Sequence, residues 1–220
     1  MRPAFNNLEK QTWITMQIKL AELPTPQVYF TMTQTVIPRP IAWLLTENSD
    51  AGYNLAPFSY FNAVCSDPPL LIVSIGKRDD GSDKDSIRNI RERQEFVIHV
   101  ASDNQLAPLN QTSASLPPGE SEVDANDLAL TRVDGFHMPR LSDCKIAFFC
   151  QRHDIQMIGS NKQQSLLFAE VKEIYVADDC AEINGQGRLQ IHADAVRPLS
   201  RLGASQFASF GEILSARRPA

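Results

Sequence analysis

Short apolar segments rich in Ile, Val, Leu and Phe recur along the chain, and Pro, Gly, Asn or Asp bounds most of them. Segments of this length and composition are typical of β-strands. We predict strands at residues 40–46, 70–76, 95–101, 145–151 and 165–176. Many short strands with a few helices in their connections predict a mainly β, α+β protein built as a barrel or a sandwich.

One helix is predicted after the second of these strands. Asp83 or Asp85 can cap it, and it runs to about residue 94. Ile87 and Ile90 share one face, while arginines occupy the other. This segment is therefore predicted to pack one side of a short helix against the sheet.

Two further helices and one long loop are predicted. Asp103 can cap a helix over residues 104–113, and a third helix is predicted near Ser200 that includes Phe207. Residues 116–127 form a polar segment containing Pro and Gly, which predicts a loop long enough to be functional or mobile.

The 220 residues carry a formal charge of −5, which argues against a broad nucleic-acid-binding surface. No apolar run approaches the roughly 20 residues of a membrane span.

Residues 1–15 are polar and show little periodicity, so we expect an extension or an upstream start there. We also expect no signal peptide and a cytoplasmic protein. Residues 16–220 are predicted to form a single domain. The four cysteines lack metal-ligand spacing, so neither a disulfide framework nor a metal site is expected.

Several common catalytic and nucleotide-binding motifs do not occur. Gly185-Gln186-Gly187 lacks the third glycine of a dinucleotide-binding turn, and no phosphate-binding G-K-[ST], zinc-binding H-E-x-x-H or nucleophilic G-x-S-x-G motif is present. The four histidines are scattered. His99 alternates within a predicted strand and is interpreted as a structural histidine with satisfied hydrogen bonds. His153 follows an apolar strand and is the better site candidate.

Residues 54–70, NLAPFSYFNAVCSDPPL, form an aromatic stretch that ends in two prolines. Proline fixes φ and donates no hydrogen bond, so a rigid, largely non-helical loop is predicted before the strand at 70–76. Its backbone groups and the short side chains of Ser59, Asn62 and Ser66 suit recognition of a flat heteroaromatic ring edge. The alternative is a loop whose aromatic side chains only pack in the core, and the residues alone leave both open.

Residues 74–86, SIGKRDDGSDKDS, leave a strand and open a helix. A helix N-terminus offers unpaired N–H groups to a phosphate. Arg78 can chelate two phosphate oxygens, Lys84 adds a point charge, and Asp85 and Ser86 lie at the helix start. The alternative is a solvated hairpin, because three more aspartates lie in the same segment.

A flat polar ring at one end and a phosphate at the other describe flavin mononucleotide (FMN). At these residues the chain resembles the flavin-reductase-like family of FMN-binding split barrels, in the branch of flavoredoxins and of nitrilotriacetate monooxygenase component B. The matching motifs are PRPIAW at 38–43, NLAPFSYFNAV at 54–64, DPP at 67–69, SIG at 74–76, KDS at 84–86, EFV at 95–97 and, more weakly, RLGA at 201–204.

The resemblance implies a six-stranded Greek-key split barrel with a few short helices, acting as a homodimer with FMN near the subunit interface. The residues implied to surround the ring and ribityl chain are Asn54, Ala56, Ser59, Asn62, Ala63 and Val64. Those implied to hold the phosphate are Arg78, Lys84, Asp85 and Ser86. Ser74 and Gly76 would let the ligand approach the strand.

The implied activity is an FMN-dependent oxidoreductase that passes hydride from NAD(P)H to flavin, and electrons on to a partner oxygenase or another acceptor. No general acid or base is predicted; His153 and Arg201 are the candidates beside which nicotinamide would stack. Simple flavin reductases of one branch carry Gly-Asp-His where this chain has Gly159-Ser160-Asn161. The alternative is therefore a flavoredoxin-like FMN carrier, reduced by a protein donor and without NAD(P)H activity. Many family members also carry Asn where this chain has His99.

Overall fold

The computed structural model describes residues 17–49, 52–114, 116–117, 120–217 and 219. The extension predicted at residues 1–15 lies outside these ranges. The helices are α1 (Thr25–Thr35), α2 (Asp85–Arg93), α3 (Leu106–Gln111), α4 (Glu122–Ala125) and α5 (Ala193–Val196). Single 3₁₀ turns lie at Leu20–Glu22, Asp103–Gln105, Ser160–Lys162 and Asp178–Cys180.

The strands are short except for β9 and β10, which pair with each other along most of their length. In chain order they are β1 (Arg39–Pro40), β2 (Ala42–Glu47), β3 (Tyr53–Phe58), β4 (Phe61–Ser66), β5 (Pro69–Gly76), β6 (Glu95–Val100), β7 (Leu130–Thr131), β8 (Arg140–Leu141), β9 (Ile146–Ile158), β10 (Gln164–Val176), β11 (Ala181–Ile183), β12 (Leu189–Ile191), β13 (Ser200–Arg201) and β14 (Phe207–Ala208).

The main sheet has seven antiparallel strands in the order β3-β2-β6-β9-β10-β5-β4. Its two terminal strands, β3 and β4, follow each other in the chain and are joined only by Ser59 and Tyr60. The connection between the two ends closes the sheet into a split barrel, as predicted. Counting β3 and β4 as one interrupted strand gives the six strands that the family resemblance implied.

Strands β2 and β6 are buried on both faces along most of their length, which explains their largely continuous apolar sequence. On β2, Trp43 and Leu45 join one core cluster, which also contains Leu109 of α3 and Val123 of α4. Leu44, the residue between them, joins a second cluster with Ile87 and Ile90 of α2. Alternate side chains of a strand point to opposite faces, so one set packs against the opposing strands and α2 inside the barrel, while α3, α4 and loops cover the other set.

The five predicted strands and the predicted helix at α2 are confirmed. Four of the strands agree to within about two residues at each end, while β9 runs seven residues past its predicted end at residue 151. The loop predicted over 54–70 is wrong, because β3 pairs with β2 and β4 pairs with β5. Pro57 is compatible with strand structure there because β3 ends the sheet, where a missing N–H is tolerated. The loop predicted over 116–127 contains a helical turn, α4.

The helix predicted near Ser200 is also wrong. Ser200 and Arg201 pair with β1, and Phe207 pairs back onto Arg201. Ala204 has a φ of 50°, a left-handed conformation that turns the chain between the two short strands. Helix α1 was not predicted: its eleven residues include four threonines, and their β-branched side chains favour strands.

The helix predicted over residues 104–113 is confirmed as a 3₁₀ turn followed by α3, but its predicted cap is wrong. Ser102 forms the capping box with Gln105, whose side chain accepts the Ser102 N–H at 2.9 Å. Asp103 instead binds the Arg197 guanidinium at 2.6 Å.

Candidate functional site

A buried polar network fixes the start of α2 against the sheet. Asn54 Nδ2 of β3 donates to Ser86 Oγ at 3.0 Å and lies 3.3 Å from Thr46 Oγ1. Asn89, one turn further along α2, donates to the same threonine hydroxyl at 3.1 Å. All four side chains are buried. Because buried polar groups are costly to leave unpaired, this network fixes the position of the first turn of α2.

No side chain among the described residues caps the N-terminus of α2. Lys84 occupies the N-cap position, and it has no side-chain hydrogen bond to the helix. The prediction that Asp83 or Asp85 caps the helix is wrong, because both carboxylates form ion pairs. Their partners are Lys77 and Arg91 for Asp83, and Arg78 and Arg88 for Asp85. The first helical N–H groups, at Asp85 and Ser86, are therefore left to an external acceptor.

A cavity of about 580 Å³, which we call the helix cavity, lies against this helix start. It lies between β3, the β5–α2 connection and the segment that leads to α4. Six of the predicted site residues line it: Asn54, Ala56, Arg78, Lys84, Asp85 and Ser86.

Glu122 also lines the helix cavity and was not predicted as a site residue. Its side chain is buried, and Oε2 accepts the Leu55 N–H at 3.0 Å. Burial raises the pKa of this carboxyl above its ordinary value, and the Leu55 hydrogen bond opposes the rise. The carboxyl thus fixes the backbone of β3 at the cavity wall.

A second cavity of about 370 Å³, the aromatic cavity, adjoins the first. Its aromatic lining residues are Tyr29, Phe30, Phe58, Tyr60 and Phe207. Five predicted site residues line it: Ser59, Ser74, Gly76, Lys84 and Arg201. Gly76 lies beside Gln164, since a Cβ built on this glycine would approach the Gln164 amide nitrogen to 3.4 Å.

The two cavities form one groove because they share the lining residues Pro57, Phe58, Lys84 and Ser113. Each volume falls within the roughly 300–1,000 Å³ typical of small-molecule sites. The Lys84 ammonium lies at the junction, 5.7 Å from the centroid of the Phe58 ring. The groove therefore joins an aromatic region to an uncapped helix start with a lysine between them.

Four predicted site residues lie elsewhere. Asn62, Ala63 and Val64 are exposed on β4 and line neither cavity. His153 is exposed on β9, with Nδ1 3.7 Å from a Glu170 carboxylate oxygen, and it also lines neither cavity. In a single chain these residues are not brought together with the others.

Arg39 was missed as a site residue, although it stands in the PRPIAW motif. It lines the aromatic cavity and is 5% exposed. Its guanidinium donates to the carbonyls of Thr33 and Val36 at the end of α1, and to Leu202 O at 2.9 Å. The sequence signal that could have identified it as a site residue is an arginine between two prolines, just before an apolar strand. Tyr29 and Phe30 were also missed as lining residues of the aromatic cavity, because they lie on α1, which was not predicted.

His99 is the structural histidine that the sequence predicted. It is fully buried on β6, with Nδ1 3.1 Å from Trp43 O, and Nε2 accepts the Leu141 N–H at 2.9 Å. Burial is the main cause that lowers the pKa of this imidazole, to about 3. It therefore stays neutral and serves the core.

Within the described ranges, no three His, Cys, Asp or Glu side chains are grouped closely enough to hold a metal ion. Nor does any helix in that part of the chain have the length and apolar character needed to cross a membrane.

The model of the flavin reductase like domain matches residues 32–193, which is most of the chain. The protein belongs to the flavin-reductase-like family. A relative from Halalkalibacterium halodurans, BH2278, is 33% identical over 93% of this chain and 97% of its own length. YwrF of Bacillus subtilis is also 33% identical, over 90% of this chain and 96% of its own. The crystal structure of nitrilotriacetate monooxygenase component B from Bacillus cereus superimposes with a TM-score of 0.83 at 31% identity, covering 92% of this chain and 98% of that one.

Membership of this family makes the chain an oxidoreductase of the flavin-dependent kind, with a flavin as its cofactor. The groove fits such a cofactor. Its aromatic cavity can take a flat ring, and the helix cavity offers uncapped N–H groups and the Lys84 ammonium to a phosphate.

Proposed function

We propose that the protein is an FMN-dependent NAD(P)H:flavin reductase that passes electrons to a partner oxygenase or another acceptor in the cytoplasm. The observation that carries this proposal is the uncapped start of α2 at one end of a groove whose other end is aromatic. A phosphate at the helix start and a ring in the aromatic cavity account for both ends. The similarity to a monooxygenase component supports an oxygenase as the partner.

A bound flavin would supply the redox chemistry, the transfer of hydride from the nicotinamide. The residues of this chain bind and orient it. The N–H groups of Asp85 and Ser86 and the Lys84 ammonium would hold the phosphate, with Arg78 beside them. Asn54 keeps the Ser86 hydroxyl in place through its 3.0 Å hydrogen bond. Ser59, Ser74 and Gly76 would lie along the ring.

We also propose a homodimer in which β4 lies at the subunit interface. Its residues Asn62, Ala63 and Val64 are exposed in the single chain, and Val64 is 48% exposed. Tyr29 and Phe30 of α1 are more than half exposed while they also line the aromatic cavity. A partner subunit that covers these side chains would bring the β4 residues to the cofactor, as the family resemblance implied.

The phosphate assignment is tested by binding FMN and riboflavin, which lacks the phosphate, to charge variants. Lys84→Ala and Arg78→Ala should each weaken FMN by about 1–3 kcal/mol and affect riboflavin much less, since only FMN presents the charged acceptor. Lys162→Ala is the matched control, because Lys162 is exposed and lines neither cavity. Equal losses for the two flavins would contradict the assignment.

The nicotinamide step is tested by mixing FMN-loaded protein with NADH or NADPH and following absorbance at 340 nm. We expect oxidation with at least one of them. The rival function is a flavoredoxin-like carrier. It is favoured because the turn at 160–162, where simple flavin reductases of one branch carry part of their Gly-Asp-His motif, is exposed and none of its residues lines either cavity. Tight FMN binding with no nicotinamide oxidation but rapid reduction by a ferredoxin would establish the rival.

A further inference from the structure

Two arginines face each other across a pair of short strands at the wall of the aromatic cavity. Arg39 of β1 and Arg201 of β13 are direct partners in the antiparallel register, and both line the cavity. Like charges placed directly opposite each other on paired strands destabilise the pairing. The contact therefore requires a compensating interaction.

None of the described residues that line the aromatic cavity is an aspartate or a glutamate. Its charged lining residues are Arg39, Lys84 and Arg201. The helix cavity, by contrast, mixes lysines and an arginine with four carboxylates. A cavity whose charged lining residues, among those described, are all cationic is unexpected in a chain of formal charge −5, where acidic residues outnumber basic ones. No carboxylate among the described lining residues offsets these positive charges, so an anionic ligand can do so.

The two guanidinium groups differ in how many donors they retain. Arg39 is almost fully buried and donates to three backbone carbonyls and, at 3.3 Å, to Ser59 Oγ. Arg201 is only partly buried, and its one hydrogen bond within the described residues goes to Ala204 O. A guanidinium has five N–H groups, so Arg201 keeps most of its donors for a ligand while Arg39 supplies a fixed charge.

The surroundings of the pair are aromatic. The Arg201 guanidinium carbon lies 4.3 Å from the centroid of the Phe207 ring, and that of Arg39 lies 6.0 Å from the Tyr60 centroid. Tyr29 packs on Tyr60 with ring centroids 6.3 Å apart. Burial, and then the charge of Arg39, lowers the pKa of Arg201. A ligand that carries an anionic group on an apolar ring would offset that repulsion with its charge. Its ring would pack against these aromatic side chains.

We propose that the Arg39–Arg201 pair is an anion subsite that binds the carboxylate of an aromatic second substrate beside the flavin. Arg201 chelates the carboxylate with its planar fork, and Phe207 beside it contacts the ring of the substrate, which leaves Phe58, at the junction with the helix cavity, to the flavin ring. The role of this substrate as an electron acceptor rests on the proposed function. The binding subsite itself does not.

The test uses benzoate as the probe and measures its dissociation constant by calorimetry, with benzamide as a neutral molecule of the same shape. We expect benzoate to bind at least about tenfold more tightly than benzamide, and added NaCl to weaken benzoate alone. Arg201→Gln should weaken benzoate by about tenfold or more. Arg188→Gln removes the same charge from an exposed turn that lines neither cavity, and should leave benzoate binding unchanged.

If the unmodified protein bound benzoate and benzamide with equal affinity, the proposal would be overturned. This outcome does not depend on whether Arg201→Gln folds. Unchanged benzoate binding in a folded Arg201→Gln would overturn it as well. The titration is repeated with FMN bound: we expect benzoate still to bind, and direct competition would overturn a separate second-substrate subsite. FMN binding is read separately, from the absorbance near 450 nm that stays with the protein after unbound FMN is removed by gel filtration, so loss of the flavin proposal and loss of the anion subsite give different results.

Discussion

Replacing His99 should change how the stability of the protein depends on pH. The Leu141 N–H can only donate, so the Nε2 atom that it reaches at 2.9 Å must be an acceptor, and the imidazole proton must lie on Nδ1, facing Trp43 O. A second proton on Nε2 would point at another donor inside the core. Burial is the largest cause of the low pKa, and the charge of Arg140 adds to it, while the hydrogen bond to Trp43 opposes it.

The magnitude follows from the two pKa values. The imidazole has its ordinary pKa of 6.5 when unfolded and about 3 when folded. Between these values the unfolded chain binds more protons, so stability falls as the pH falls below 6.5 and is unaffected above it. At pH 5 the loss is about 2 kcal/mol, and at pH 3 it is about 4 kcal/mol.

Urea unfolding followed by tryptophan fluorescence at pH 7.5 and pH 5 measures this loss. His99→Asn removes the titrating group, and the lost core contacts lower stability at both pH values. We expect the wild type to lose about 2 kcal/mol more than the variant between the two conditions. His137→Asn, the same substitution at a histidine whose side chain is 64% exposed, is the matched control. Equal losses in the wild type and His99→Asn would refute the reasoning.

Three further perturbations have defined outcomes. Phe96→Ala removes a fully buried ring and should cost about 3–5 kcal/mol in urea unfolding; a loss below about 1 kcal/mol would contradict the packing. Thr112→Val removes the hydroxyl that accepts the Trp43 indole N–H at 2.8 Å, and should cost about 1–3 kcal/mol with a shift in tryptophan fluorescence. Glu122→Gln keeps an acceptor for the Leu55 N–H but removes a negative charge from the helix cavity. FMN should then bind a few-fold more tightly in a titration, by roughly 0.5 kcal/mol, with riboflavin unchanged.

The strands could be predicted because their residues face two apolar environments. Trp43 and Leu44 alternate between two core clusters, so a continuous apolar run marked the strand whichever face was considered. The pairing of Arg39 with Arg201 could not be predicted in the same way. It joins residues more than 160 positions apart through strands of two residues each, and neither short segment has a local pattern that distinguishes it from a turn.

Helix α1 shows the complementary limit of local propensity. The carbonyls of Thr33 and Val36 at its C-terminal end accept hydrogen bonds from the buried Arg39 guanidinium, which a tertiary hydrogen bond to Leu202 O, 163 positions along the chain, holds in place. Those contacts stabilise a helix that β-branched residues disfavour. The same helix brings Tyr29 and Phe30 to the aromatic cavity, so that part of the site could not be predicted without it.

The sequence predicted a phosphate site at the start of α2 because cations lie there. The ion pairs in the structure indicate which of those cations is more available to a phosphate. Arg78 is bound to the Asp85 carboxylate, so a phosphate must compete with an existing partner for its donors. Lys84 forms no ion pair within the described ranges and lies at the junction of the two cavities. Its charge is therefore not offset by an adjacent carboxylate, whereas part of the attraction of Arg78 is. Lys84→Ala should weaken FMN more than Arg78→Ala, although arginine is the better phosphate ligand when both side chains are unpaired.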